Sequence, residues 1–306
     1  MYIFGADPEL FLFQSYEDSA PNVIPAYVYF PETGKGNCFS FGDNIGGVHS
    51  DNIMLELNPA PADSIVRLVR NTSHLQDLAL EYIRNEQFKY KRSSGKDGHG
   101  LPFVGRGDAL WTEAMSTATI NKKYLEFYDG NAKFREFGCD PDWNAYTMSY
   151  NSAPDLPDTL RVGGGHLMIS KMDDRLANLE ICANVVKWMD ILVTSAFVHE
   201  DLRTDAFLMR QATIIQRRQY YGRYGAFRPK SFPNGYFGVE YRVPGPEWSL
   251  PLGDQFYNSL QNAMIKSLEY GLALRPVPDM PELLHKAINL WDREAGLELA
   301  EVATNV

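Results

Sequence analysis

The chain has 306 residues and a formal net charge of −10, from 39 Asp and Glu against 29 Lys and Arg. Hydrophobic residues make up 44% and charged residues 22%, with 17 Phe, 17 Tyr and 5 Trp; this is globular composition with ample core, and it excludes dominant disorder, collagen-like and coiled-coil chains. The acidic balance argues against bulk nucleic-acid binding, which needs a positive field.

A chain of this length buries about three-quarters of its unfolded surface and needs neither disulfide nor metal to fold. Cys38, Cys139 and Cys182 lack metal-ligand spacing and read as reduced thiols. The N-terminus lacks a basic segment followed by a long apolar run, so no secretion signal is read there. The expectation is a cytoplasmic protein.

In chain order, the first strand is expected over Tyr2 to Phe13 and a second over Ala26 to Phe30. Pro31 to Gly47 holds five glycines and reads as loop or hairpin. A strand over Ile53 to Asn58 stops at Pro59-Ala60-Pro61, and Asp63 or Ser64 then caps a helix whose apolar positions follow a period near 3.6. Ser93 to Gly107 reads as an exposed loop, and Asp108 to Thr159 is mixed. A strand over Leu160 to Ser170 carries three glycines at its centre. Helices follow over Arg175 to Val198 and Thr204 to Tyr220; Lys187 and Asp190 interrupt the first, which favours a buried core helix over a membrane span. Tyr221 to Gly238 reads as a loop and Val239 to Val243 as a short strand. Helices over Asp254 to Leu274 and Met280 to Glu298 close the chain. No linker is marked, so the expectation is one domain over residues 1–306, of α+β class, with a variable insertion around 93–159.

Four segments carry chemistry. In Gly5-Ala6-Asp7-Pro8-Glu9, strand geometry puts Asp7 and Glu9 on one face amid apolar neighbours. Two such carboxylates raise each other's pKa unless a cation lies between them, and Mg²⁺ or Mn²⁺ favours those ligands; a turn at Asp-Pro is the plainer alternative. In Met54-Leu55-Glu56-Leu57-Asn58, Glu56 and Asn58 share a face, and Glu56 needs a partner, an arginine or a metal. In Gly163-Gly164-Gly165-His166, the glycines permit close backbone approach, and His166 is either a core residue or a ligand. The stretch from Arg217 to Lys230, with Arg223 and Arg228, mixes bases with glycine and aromatics, and Glu240-Tyr241-Arg242 follows. Arginine forks bind phosphate or carboxylate in bidentate fashion, although basic–aromatic mixing also suits single-stranded nucleic acid.

Together these motifs resemble the phage-type COOH–NH2 ligases (amidoligase type 2) of the glutamine synthetase-like superfamily. The likeness runs from Gly5 to about Trp248. It rests on G-x-D-P-E-x-x-L, E-x-N-P-A-P, G-C-D-P-D-x-N-A-Y at Gly138 to Tyr146, the glycine-rich histidine strand, and Y-G-x-x-G-x-F-R-P-K…E-Y-R. It implies a curved antiparallel sheet with helices on its outer face, and an ATP-dependent carbon–nitrogen ligase of the host cytoplasm. It implies Mg²⁺ or Mn²⁺ held by Asp7, Glu9, Glu56, His166 and Glu240. Nucleotide contacts would come from His166, Arg223, Arg228 and Lys230, and catalytic guanidinium groups from Arg223, Arg228 and Arg242. Substrates would be a small-molecule or peptide carboxylate and an amine, joined through an acyl phosphate. A guanidino-kinase-like phosphotransferase and a non-catalytic nucleotide- or partner-binding relative are the alternatives. Relatives carry a second histidine two residues after the first; Met168 stands there in this chain. No role is read for Cys139, Asp140 or Asp142.

Overall fold

The computed structural model describes all residues except 16–21, 27–28, 31–32, 34–35, 52, 95–108, 121–141, 153–154, 202–204 and 233. Its strands are β1 (Tyr2–Ser15), β2 (Asn22–Ile24), β3 (Phe39–Gly42), β4 (Gly46–Asp51), β5 (Met54–Pro59), β6 (Ala109–Glu113), β7 (Thr117–Thr119), β8 (Trp143–Asn144), β9 (Ser149–Tyr150), β10 (Leu160–Val162), β11 (Gly165–Lys171), β12 (Ala226–Ser231) and β13 (Phe237–Tyr241). Its helices are α1 (Ile65–Ser94), α2 (Leu179–Asp201), α3 (Asp205–Tyr220), α4 (Asp254–Leu272), α5 (Pro281–Leu284) and α6 (Arg293–Asn305).

Among the described residues, eleven strands form one antiparallel sheet in the order β3-β4-β5-β1-β11-β13-β12-β8-β9, with β2 and β6 also pairing β1. The expected α+β class with a large antiparallel sheet is what the chain adopts. β1 is its spine, and alternation along it decides everything on either side. Phe4, Ala6, Leu10 and Leu12 point to the helix-covered face and are buried. Gly5, Asp7 and Glu9 take the opposite face. Neighbouring strands keep that register: Phe227, Leu167, Ile169, Val239 and Tyr241 join the apolar layer beneath α2, α4 and α6. At the other end of the sheet, Leu55 and Leu57 pack with Leu75, Ala79 and Ile83 of α1.

Helix α2 is long and apolar enough to cross a membrane, yet it lies in this core, with 83% of its apolar window buried. Its Asp190 is fully buried and accepts a 2.7 Å hydrogen bond from the Tyr241 hydroxyl. Burial pushes the Asp190 carboxyl up to about 7. A neutral or hydrogen-bonded acid is tolerated where a bare charge is not.

Several expected boundaries move. Of Ala26 to Phe30, the described residues form a turn, with the Tyr29 and Phe30 amides donating to the Ala26 carbonyl; the strand lies earlier, at Asn22–Ile24. Of Ser93 to Gly107, Ser93 and Ser94 end α1 and the rest falls outside the described residues. The described parts of 93–159 join the sheet through β6 on β1 and β8 on β12. The Leu160 to Ser170 strand breaks at Gly163-Gly164, so that β10 pairs β7 while β11 pairs β1. The loop expected from Tyr221 to Gly238 contains β12, whose Phe227 is core and whose Arg228 and Lys230 face out. The last expected helix splits at Trp291 (φ 51°), and Asp292 caps the helix that follows.

Gly165 is required by packing, since a Cβ there would meet the Gly245 carbonyl and lie 2.5 Å from the Pro246 Cα. Gly165→Ala should therefore destabilise the fold by about 1–3 kcal/mol, the range for overpacking a filled site, read as a lower urea midpoint at unchanged slope.

Candidate metal and phosphate site

Cross-strand register assembles the polar face. Asp7 on β1 lies opposite His166 on β11. Glu9 lies opposite Glu56 on β5, and Glu56 opposite His49 on β4. Met168 lies opposite Glu240 on β13, which in turn lies opposite Arg228 on β12. Residues scattered over the sequence therefore meet because they occupy neighbouring rungs of one sheet.

Two clusters result. In the first, His166 Nδ1 is 2.8 Å from Asp7 Oδ1 and 3.9 Å from Glu240 Oε1. The Tyr221 hydroxyl takes the other ring nitrogen, Nε2, at 2.8 Å. This leaves Nδ1 turned toward the two acids, the outer-shell arrangement that orients a ligand histidine. Burial and the nearby Arg242 charge hold the His166 pKa well below its usual value, so the ring is neutral. Burial pushes the Asp7 carboxyl up to about 6 despite Arg242, Lys230 and Arg228. Asp7 Oδ1 and His166 Nδ1 are buried with no hydrogen bond of good geometry.

The second cluster is Glu9, Asp51 and Glu56. Glu9 Oε2 accepts the Gly164 backbone N–H at 2.7 Å. Burial, then the charges of Asp51 and Glu56, push the Glu9 carboxyl well above its usual range. Within each cluster one ligand atom per residue lies within 4.8 Å of the others. Buried carboxylates and a neutral imidazole with orphaned atoms suit a divalent cation; oxygen-rich sets favour Mg²⁺ or Mn²⁺. The residues thus fit the metal that the resemblance implies. All five expected metal ligands lie in these two groups, and Asp51 adds a sixth.

The bases close on the first cluster. Arg242 and Lys230 both pair with Glu240, and Arg228 Nη1 is 3.9 Å from it. Arg242 Nε also bonds Asp142 Oδ2 at 3.1 Å. Asp142, for which the sequence suggests no role, is itself held by Asn151 and so fixes the direction of the Arg242 fork. Arg223 is not part of this assembly. It is exposed and donates to the Arg218 and Gln219 carbonyls at the end of α3, so its expected phosphate role has no geometric support. Cys139 and Asp140 lie outside the described residues.

Beside the clusters, on the same sheet face, is a largely apolar cavity of about 390 Å³ lined by Gly5, Asn58, Met168, Ser170, Phe232 and Tyr236. Met168 lines this cavity and is not one of the Asp7–His166–Glu240 group. His49, Asp51 and Tyr221 are site residues that sequence reasoning did not single out. The signal for the first two was an H-x-D pair two positions apart just before the E-x-N strand, which a hairpin would bring alongside.

The raised Asp7 pKa has a signed consequence. An acid raised from 3.8 to about 6 on folding adds stability below pH 4, and that stability is lost as pH rises through about 6. Asp7→Asn should therefore stabilise the metal-free protein at pH 8 by about 1–3 kcal/mol, with no gain at pH 4. Thermal melts in EDTA check this. In parallel melts without EDTA, Mn²⁺ should raise the transition of the native protein by more than that of the variant, which keeps only the Glu9, Asp51 and Glu56 cluster.

No protein-family model matches this chain, and no curated protein matches it, so the likeness to amidoligases rests on the motifs alone.

Proposed function

We propose that the protein is an ATP-dependent carboxylate–amine ligase that activates its carboxylate as an acyl phosphate. The observation that carries the reading is the pair of buried acid clusters on adjacent rungs of one sheet face, with Arg228, Lys230 and Arg242 converging on the first.

A carboxylate does not condense with an amine in water, so its oxygen must first become part of a leaving group. Divalent ions in the two clusters would neutralise the nucleotide phosphates during transfer of the γ-phosphoryl group. The protein residues have separable tasks. Asp7, His166 and Glu240 form one seat; Glu9, Asp51 and Glu56 form the other. Arg242, directed by Asp142, offers a planar fork to the transferring phosphoryl oxygens, with Arg228 and Lys230 beside it. Glu240 occupies these bases in the free protein, and phosphate would compete for them. The neighbouring cavity is in the usual size range for small ligands and apolar on most of its wall, as the face of a purine requires. Tyr221 holds the His166 ring from behind and stacks on Arg242 at 5.1 Å, so one side chain supports both a metal ligand and a phosphate ligand.

This reading expects Glu9→Ala and Glu240→Ala each to abolish Mg²⁺-dependent ADP release while the circular dichroism spectrum is unchanged. Arg242→Lys should lower kcat by about 100-fold, because an ammonium cannot serve both Asp142 and a phosphoryl group. Undiminished ADP release in both alanine variants would rule out the site; undiminished kcat in Arg242→Lys would remove the arginine from the chemistry.

A further inference from the structure

The rung that carries Glu9 and Glu56 continues past the acids. Glu56 faces Glu9 on one side and His49 on the other. Cys38 immediately precedes β3, whose Phe39 lies opposite Val48, so Cys38 falls next to His49. The side chains follow that register. Cys38 Sγ is 3.5 Å from His49 Nδ1, and His49 Nε2 is 3.4 Å from Glu56 Oε2. His49 and Glu56 are buried while Cys38 is exposed. The order from solvent inward is thiol, imidazole, carboxylate, which is the order of nucleophile, base and orienting group.

Asn58 fixes the tautomer. Its Nδ2 lies 3.0 Å from His49 Nδ1 and 3.3 Å from Glu56 Oε1, and an amide nitrogen only donates. Nδ1 is therefore the accepting nitrogen, and its single lone pair is shared between the Asn58 amide and the thiol. Nε2 carries the proton; it is buried, has no hydrogen bond of good geometry, and has Glu56 as the acceptor it faces. The hairpin is built to bring these groups together, since a Cβ on Gly47 would meet the Phe39 carbonyl at 2.8 Å and Cys38 Cβ at 3.0 Å.

We propose that Cys38 is an acyl-accepting nucleophile, with His49 as its base and Glu56 as the residue that orients His49, and that its substrate is an acyl phosphate. The source of that acyl phosphate rests on the ligase reading; the thiol chemistry does not. A free thiol is largely protonated at neutral pH, so Cys38 needs a base in contact, and His49 Nδ1 is the one beside it. Sγ attacks the acyl carbon as its proton passes to His49 Nδ1. The S–C bond forms, the C–O bond to phosphate breaks, and the His49 proton leaves on the phosphate. An amine then attacks the thioester; the C–N bond forms, the C–S bond breaks, and the amine proton returns to sulfur through His49. No oxidant or reductant is involved. The device would hold the acyl group in a form less prone to loss by water than the mixed anhydride while the amine binds.

The test uses the full-length protein with acetyl phosphate and Mg²⁺ and no ATP, read by peptide mass spectrometry before and after neutral hydroxylamine, which releases thioesters and spares amides. A hydroxylamine-labile acetyl group on Cys38 is expected. It should be absent in Cys38→Ser, and in His49→Gln it should form on the order of 100-fold more slowly, the usual worth of a positioned base. Cys182 is the internal control, being buried with its thiol pushed up to about 12. Absence of label on Cys38, equal labelling of Cys38, Cys139 and Cys182, or an unchanged rate in His49→Gln overturns the proposal. The Cys38→Ser arm is independent of any folding defect in the His49 variant, because Cys38 is exposed. ADP release from ATP, measured in parallel, separates the two readings. ADP release with no acylation of Cys38 leaves the ligase and removes the thiol; acylation of Cys38 with no ADP release does the reverse.

Discussion

The arrangement depends on like charges held close together in a place where water cannot screen them. Asp7, Glu9, Glu56 and Glu240 are crowded onto one face of a sheet whose other face is hydrophobic core. At low effective dielectric the repulsion between such groups amounts to several kcal/mol. The protein answers it in three ways: protonation, as in the raised Asp7 and Glu9 carboxyls; backbone donation, as from Gly164 to Glu9; and pairing of Glu240 with Arg242 and Lys230. Each answer is weaker than a divalent cation would be. The fold therefore carries a standing electrostatic cost that a bound cation would relieve.

The cost is confined by the apolar layer behind it. β13 makes the division plain, since Tyr241 turns inward to Asp190 on α2 while Glu240 and Arg242 turn outward to the site. Arg217 reinforces the seam. It is fully buried and donates to the Gly163, Val243 and Arg242 carbonyls, tying the glycine bend before β11 to the exit of β13. An arginine in a basic run reads as a surface or phosphate residue, yet this one is structural. Breaking such a buried cation from its partners costs about 3–5 kcal/mol.

The sequence is legible where chemistry and periodicity agree. Asp7 and Glu9 on β1, and Glu56 on β5, were visible as acids in apolar strands, and Ser64 as a cap, its hydroxyl accepting from Arg67 N. What failed was local. The Tyr221 to Gly238 stretch looks like a loop because glycines and bases dominate it, but Ala226 and Phe227 anchor β12 in the core, and the sheet supplies the rest. Arg223 and Arg228 are equivalent as letters; only strand register sends Arg228 to Glu240 and leaves Arg223 on the end of α3. His49 and Asp51 were hidden because the stretch read as loop or hairpin ends at Gly47, whereas the strand runs on to Asp51, and Tyr221 because a hydroxyl's partner 55 positions away leaves no local trace.

The two candidate cation clusters share β1, one taking Asp7 and the other Glu9. Their separation is consequently set by two steps of extended backbone, about 7 Å between Cα atoms, and not by the lengths of any loops. The strand behaves as a ruler. Insertions in the surface connections can accumulate without changing the spacing, whereas a single residue gained or lost between Gly5 and Glu9 would turn one acid into the layer occupied by Phe4 and Leu10. Length variation should be tolerated in the surface connections and not in those five positions or in the strands paired around them.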